Sequence, residues 1–201
     1  MKAPVLFPVF KHRQSTLLDR IEDVGDRQVF CFYYTFDKDN YDFSLYPTVI
    51  FIEVPDTYLS GQKMKRFIQD WAIDKGFQKF WLLDDDIDTF QYFRKYNGLK
   101  QLPLHKALDY AEHKFDTNYY SPRSKNCYCL KSCFLIDKDA PIKFSGDDTV
   151  LEDLELTLKL QKENIPFVID ENWLLQYTET DASAGWYEPF KLLENTLKQY
   201  N

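Results

Sequence analysis

The chain of 201 residues lacks several things that would set it apart from an ordinary folded domain. Its apolar runs are only a handful of residues long, where a helix crossing a bilayer needs about 20, so no membrane span is expected. The opening Met1-Lys2-Ala3-Pro4-Val5-Leu6-Phe7 reads as a first strand and has no small-residue cleavage site, so no secretory leader is expected. There is no Pro/Ser/Gly-rich linker and no internal repeat, which leaves one domain spanning 1–201 as the expectation. With 44% hydrophobic and 17% aromatic residues the chain has ample material for a core, which excludes disorder.

Cysteine and histidine are also scarce. The four cysteines, Cys31, Cys127, Cys129 and Cys133, read as reduced thiols of a cytoplasmic protein. Cys127, Cys129 and Cys133 recur at period two, which suits small buried side chains on a strand and lacks the paired spacing of structural zinc. The histidines His12, His105 and His113 show no ligand spacing either. Cationic charge is in deficit, with 25 Lys and Arg against 32 Asp and Glu and a net charge of −7, which taken alone argues against nucleic acid. The distribution is uneven, however. Arg94 to Lys131 holds eight Lys/Arg against three Asp/Glu, so a basic face on an acidic protein is open.

What is present alternates between strand and helix signals. A short strand is expected over Val5 to Phe10, then a helix over Ser15 to Gly25 with Leu17, Leu18, Ile21 and Val24 at helical spacing. Gln28 to Phe36 and Thr48 to Val54 read as strands, the second closed by Pro55. A helix over about Ser60 to Lys75 carries Met64, Phe67, Ile68 and Trp71 on one face and stops at Gly76. Lys79-Phe80-Trp81-Leu82-Leu83 has no polar alternation, the mark of a strand buried on both faces. Further on, a helix is expected around Leu104 to Lys114 and a strand over Asn126 to Asp137. A helix follows over Thr149 to Glu163, with Leu151, Leu154, Leu158 and Gln161 on one side, then a strand over Ile165 to Gln176 and a helix over Glu188 to Tyr200. This order predicts an α/β fold with a mostly parallel, twisted central sheet flanked by helices. In such sheets ligands bind beyond the carboxyl ends of the strands.

Asp84, Asp85 and Asp86 stand at that end of the buried strand. Adjacent carboxylates repel one another and gain nothing from packing, so they point to a bound hard cation, Mn2+ or Mg2+ held with substrate phosphates, or to a solvated acidic turn. On extended chain Asp84 and Asp86 share a face. The direct metal contact falls to Asp86, and ribose or a water-mediated metal contact to Asp84, with Asp88 as a helix or turn cap. In the second acidic cluster, Thr149 and Glu152 form a capping box, and Asp153, in the first turn of its helix, is left over as a candidate general base. Lys11-His12-Arg13 falls on the turn between first strand and first helix, where it would meet a diphosphate or a nucleobase, a solvated turn being the competing reading. The window from Tyr92 to Lys131 interleaves aromatic and basic residues, among them Arg94, Lys95, Arg123 and Lys125, as a nucleic-acid acceptor surface would. Core packing explains some of its rings as well.

The strand Trp81-Leu82-Leu83 ending in Asp84-Asp85-Asp86-Ile87, followed later by Leu151-Glu152-Asp153-Leu154-Glu155-Leu156, resembles the GT-A fold glycosyltransferases over roughly residues 4 to 180. The opening Phe7-Pro8-Val9-Phe10-Lys11-His12-Arg13 and the Asp-Asp-Asp-Ile run are similar to the TET-associated glycosyltransferases of phages and bacteria, thought to glycosylate hydroxymethylated bases in DNA. The resemblance implies metal and nucleotide roles for Asp84 and Asp86, a nucleotide contact for Arg13, and a base role for Asp153; Lys11 on the same turn and Asp85 in the same cluster are further nucleotide-binding candidates. It also implies a UDP-sugar donor, UDP-glucose foremost, with 5-hydroxymethylcytosine in DNA as acceptor. A single base opposite the leaving group implies inversion at the anomeric carbon, retention staying open as the alternative. The enzyme would then be phage-encoded and act in a bacterial cytoplasm. Residues 4–90 would bind the donor and 91–201 the acceptor. Two departures stand out: the small polar residue and glycine usual ahead of the arginine are replaced by Phe10-Lys11-His12, and no histidine follows His113 to complete a metal shell. Phosphates and water, or Asp181, would fill that position. Two other readings stay open, a glycosyltransferase with a polysaccharide, lipid or protein acceptor and a binding module without turnover.

Overall fold

The computed structural model describes residues 2–10, 16–94, 98–124, 133–146 and 152–177. Among these, nine strands join in one sheet in the order β3-β2-β1-β4-β8-β7-β9-β5-β6. The first four are β1 (Val5–Pro8), β2 (Val29–Tyr34), β3 (Val49–Val54) and β4 (Lys79–Leu83), paired in parallel through β2–β3, β1–β2 and β1–β4. They are followed in sequence by β5 (Ile87–Arg94), β6 (Gly98–Leu102), β7 (Tyr119–Ser124), β8 (Cys133–Asp137) and β9 (Val168–Tyr177). Only β8 and β5 run against the rest, so the mostly parallel α/β sheet expected from the sequence is found.

The helices α1 (Thr16–Asp19), α2 (Gly61–Asp74), α3 (Leu104–Lys114) and α4 (Glu152–Lys162) cover the two faces. Period two along the strands divides the core accordingly. Val5, Phe7, Cys31, Trp81, Leu83, Cys133 and Leu135 pack with α1 and α3, while Leu6, Phe30, Phe32, Phe80, Leu82, Phe134 and Ile136 pack with α2 and α4. β4 is buried along Phe80–Leu83, as its unbroken apolar run predicts.

Several details differ from expectation. The first helix is one turn of α-helix followed by a 3-10 turn over Ile21–Val24, closed by Gly25 at φ 74°. Asp88 caps nothing. It lies inside β5, where the register against β9 shifts between Ile87 and Thr89. The buried side of α4 is Leu156 and Leu160 with Glu155 and Thr157, while Leu154 and Leu158 are half-buried and Gln161 is exposed. Glu155 tolerates burial because Gln62 and Ser145 donate hydrogen bonds to it and Lys159 pairs with it. Leu151, Thr149 and the expected helix over 188–200 lie outside the described residues.

Only Asp84, Asp85 and Asp86 separate β4 from β5, although four pairings separate these strands in the sheet. The connection reaches at most about 14 Å, whereas four flat strand spacings would need about 19 Å. The sheet must therefore curl so that the start of β5 comes back over the end of β4. The aspartates form the turn at that fold-over.

Candidate active site

The carboxylate turn lines a cavity of about 340 Å³ together with Pro8, Val9 and Phe10 from the end of β1, Tyr34 from β2, and Leu59 to Gly61, Met64 and Lys65 from the start of α2. It opens beyond the carboxyl ends of parallel strands β1, β2 and β4, where α/β sheets bind ligands. Its two ends differ in chemistry. One is aromatic and apolar, with Phe10 edge-on to Tyr34 at 5.5 Å and half-exposed Phe36 stacked on Tyr34 at 5.4 Å. Tyr34 donates a hydrogen bond to Tyr58 O at 3.0 Å, and burial pushes its phenol up to about 12, so that wall stays neutral. The other end carries the three aspartates and Lys65.

Between them stands the amino end of α2. Ser60 caps that helix by accepting from Lys63 N at 3.2 Å, and Ser60 and Gly61 both line the cavity. The first N–H groups of a 14-residue helix and its dipole there favour an anion.

Lys65 is the residue that sequence reasoning missed. Its side chain is 4% exposed, and its Nζ lies 3.2 Å from Asp84 Oδ1 and 3.1 Å from Asp153 Oδ1. The two carboxylates given separate roles from the sequence are thus brought to one ammonium group. The signal was the polar series Gln62, Lys65 and Gln69 at spacings of three and four, all buried on the inner side of α2. Asp153 sits in the first turn of α4, as expected from the sequence.

The aspartate turn is not extended chain, because Asp85 and Asp86 form a tight turn that returns the backbone to the sheet at Ile87. Alternation therefore does not set which of the three carboxylates share a face. The turn is fixed by Leu17 N, which donates to Asp85 O at 3.1 Å. Two thiols sit beneath it. Burial, with the charge of Asp85 adding, pushes Cys31 well above its ordinary value, and burial with Asp84 does the same to Cys133. Both remain neutral packing groups, as read for Cys133, while Cys127 and Cys129 lie outside the described residues.

A hard divalent ion suits this donor set only in part. Carboxylate oxygens at the mouth of a cavity beside an anion-favouring helix end match an ion shared with phosphates. Yet among the described residues no three His, Cys, Asp or Glu side chains converge to hold a metal ion, and Asp84 already has a cation beside it.

The remaining expectations fall less centrally. Lys11, His12, Arg13, Lys95, Lys125 and Asp181 lie outside the described residues. Arg94 ends β5 and Arg123 lies in β7. Arg123 and Gln91 are both register partners of Leu174 of β9, one on each side. Four rings of the acceptor window belong to the core instead. Tyr119 and Tyr120 are buried, and Phe115 stacks on Tyr120 at 4.9 Å with Tyr110 edge-on to it. Among the described residues no helix is long and apolar enough to cross a membrane.

No protein-family model matches the chain, and no protein of curated function matches it. Solved structures do. Rv0371c from Mycobacterium tuberculosis H37Rv, in complex with manganese, is 10% identical with a TM-score of 0.53, over 96% of this chain and 100% of that one. Its homolog from Mycobacterium sp. strain JC1 is 10% identical with a TM-score of 0.51, over 99% and 100%. A candidate nucleotide-diphospho-sugar transferase from Desulfovibrio desulfuricans G20 is 14% identical with a TM-score of 0.49, over 100% and 99%. The two mycobacterial structures, matched along nearly the whole of each chain, show that this protein shares their fold.

Proposed function

We propose that the protein is a glycosyltransferase that moves a hexose from a UDP-sugar to a hydroxyl acceptor with the help of Mn2+ or Mg2+. The observation that carries the reading is the cavity itself, which is lined by an aromatic wall, a helix amino end, a buried lysine and a carboxylate turn. A nucleobase suits the wall of Phe10 and Tyr34, a diphosphate suits the helix end and Lys65, and Asp84 and Asp86 would hold the divalent cation. Lys11 and Arg13 follow Phe10 in sequence and are assigned to the nucleotide, Asp85 to the turn beside it. The manganese found with Rv0371c, which has the same fold, supports the choice of ion. Such an ion offsets charge on a departing diphosphate. Asp153, held on Lys65, takes the proton of the attacking hydroxyl, and one base facing the leaving group gives inversion.

Glucose as the sugar and 5-hydroxymethylcytosine in DNA as the acceptor rest on the TET-associated resemblance and on the cations Arg94, Lys95, Arg123 and Lys125. The burial of Tyr119 and Tyr120 takes rings away from a base-stacking surface, which favours a polysaccharide, lipid or protein acceptor as second reading.

The test is to incubate the protein with Mn2+ and a panel of UDP-sugars, with and without hydroxymethylated DNA, measuring released UDP and the mass of the nucleosides. UDP release is expected to fall at least about a hundredfold in Asp86→Ala and Asp84→Asn, the scale of losing a metal's charge stabilisation. Donor hydrolysis without a nucleoside mass shift removes the DNA acceptor alone. Absence of UDP release with every sugar and acceptor, while Asp86→Ala still binds UDP, would establish a binding module.

A further inference from the structure

Lys65 is placed unlike a lysine that merely decorates a helix. Its ammonium is almost wholly withdrawn from water, with the rings of Phe134 and Phe144 at 5.6 and 5.9 Å on one side and Asp84 and Asp153 on the other. Burying an ammonium group is costly unless carboxylates neutralise it, and these two do so. Asp84, which lines the cavity, is thereby partly neutralised before any divalent ion arrives. Among the described residues no ready set of three ligands competes with that arrangement.

We propose that Lys65 is a fixed internal cation that makes metal binding conditional on the nucleotide. It neutralises part of the carboxylate charge and repels a free divalent ion, so the ion is held tightly only once a diphosphate has added its own negative charge. The inference rests on the donor-site reading above and adds an order to it: metal and nucleotide enter as a unit. A positive charge fixed beside the carboxylates that would hold a divalent ion lowers the ion's affinity at least about tenfold even at an effective dielectric constant near 20.

Manganese resonance or calorimetry on the intact protein tests this without any turnover. Wild type is expected to bind Mn2+ at least about tenfold more tightly with UDP present than without it. Lys65→Met is expected to bind Mn2+ alone at least about tenfold more tightly than wild type, and UDP should then add little. Lys65→Arg, which keeps the charge, should behave as wild type. Equal Mn2+ affinity of wild type with and without UDP overturns the proposal and needs no variant, which covers the case of Lys65→Met failing to fold. Mn2+ affinity in Lys65→Met equal to or below that of wild type overturns it too, leaving the donor site standing. If no form binds Mn2+ even with UDP, the metal-dependent donor site falls and this inference falls with it.

Discussion

The hydroxyl of Tyr119 serves both backbone polar groups of Ile142. It accepts from Ile142 N at 2.9 Å and donates to Ile142 O. The ring is fully buried, and burial pushes the phenol up to about 12, so the donor proton is never lost at ordinary pH. Tyr119→Phe leaves a buried N–H and a buried C=O unsatisfied and is expected to lower stability by about 1–3 kcal/mol. Urea unfolding should show a lower midpoint at unchanged slope, and a midpoint equal to that of wild type would refute this role. Residues of this kind are hard to read from sequence. A buried lysine is rare enough that Lys65 reads first as surface, and a tyrosine hydroxyl does not name its partner. Asp84 and Asp153 were legible because acidic residues at a strand end and in a first helical turn break the local pattern. That Lys65 joins them depends on packing between α2 and α4, which no local window contains.

Helix α2 was legible almost to the residue, since Ser60 and Gly76 punctuate a clear periodicity. Its inner face was only half read. Met64 and Ile68 are buried as expected, but Phe67 and Trp71 are half-buried, and Gln62, Lys65 and Gln69 take the positions beside the loop that leads to α4. Ser60→Ala is expected to cost about 1 kcal/mol in thermal unfolding and Ser60→Gly only a few tenths, because glycine leaves room for water at the freed N–H. No loss in Ser60→Ala would show that the hydroxyl does not hold the helix end. Strands β5, β6 and β7 escaped the sequence reading for physical reasons. β7 contains Pro122, which cannot donate to a ladder, and its register against β9 shifts just there. β5 begins at the aspartate turn with Asp88 as its second residue, and its pairing depends on β9, far along the chain.

Taken as a whole, the molecule ties its periphery with paired charges. Arg27 is buried and donates to Asp109 at 2.6 Å and to Glu112 at 2.9 Å, and Glu112 also accepts from Trp81 Nε1 at 2.7 Å. On the opposite face Arg66 and Lys143 share Asp70. Desolvation raises Asp109 and Asp70, but their cationic partners outweigh it, and both carboxyls titrate below the ordinary 3.8. Their contribution to stability is complete above 3.8 and is lost as pH falls through the lower folded values. Unfolding midpoints followed from pH 6 to about 2 should therefore drop steeply only below about 4. A flat profile across that range would mean the pairs are neutral to stability. At this scale the fold class was readable, because alternating helix and strand periods need only local pattern. The placement of β8 between β4 and β7, and the curl that returns β5, arise from pairings distant in sequence and were not.

That placement has a mechanical consequence. β8 runs opposite to β4 and so leaves the chain at the far end of the sheet from the cavity, yet Asp153 pairs with Lys65, which lines the cavity. Residues 138–146 make the return journey without regular structure, climbing back along α2: Lys143 meets Asp70, Phe144 meets Gln69 and Arg66, and Ser145 meets Gln62. The segment is pinned to α2 at successive rungs, and one inserted residue, about 3.3 Å of chain, exceeds the reach of any single rung. An insertion between Lys143 and Ser145 would therefore unseat a contact, which makes this a stretch of irregular chain unlike the surface loops that usually absorb insertions.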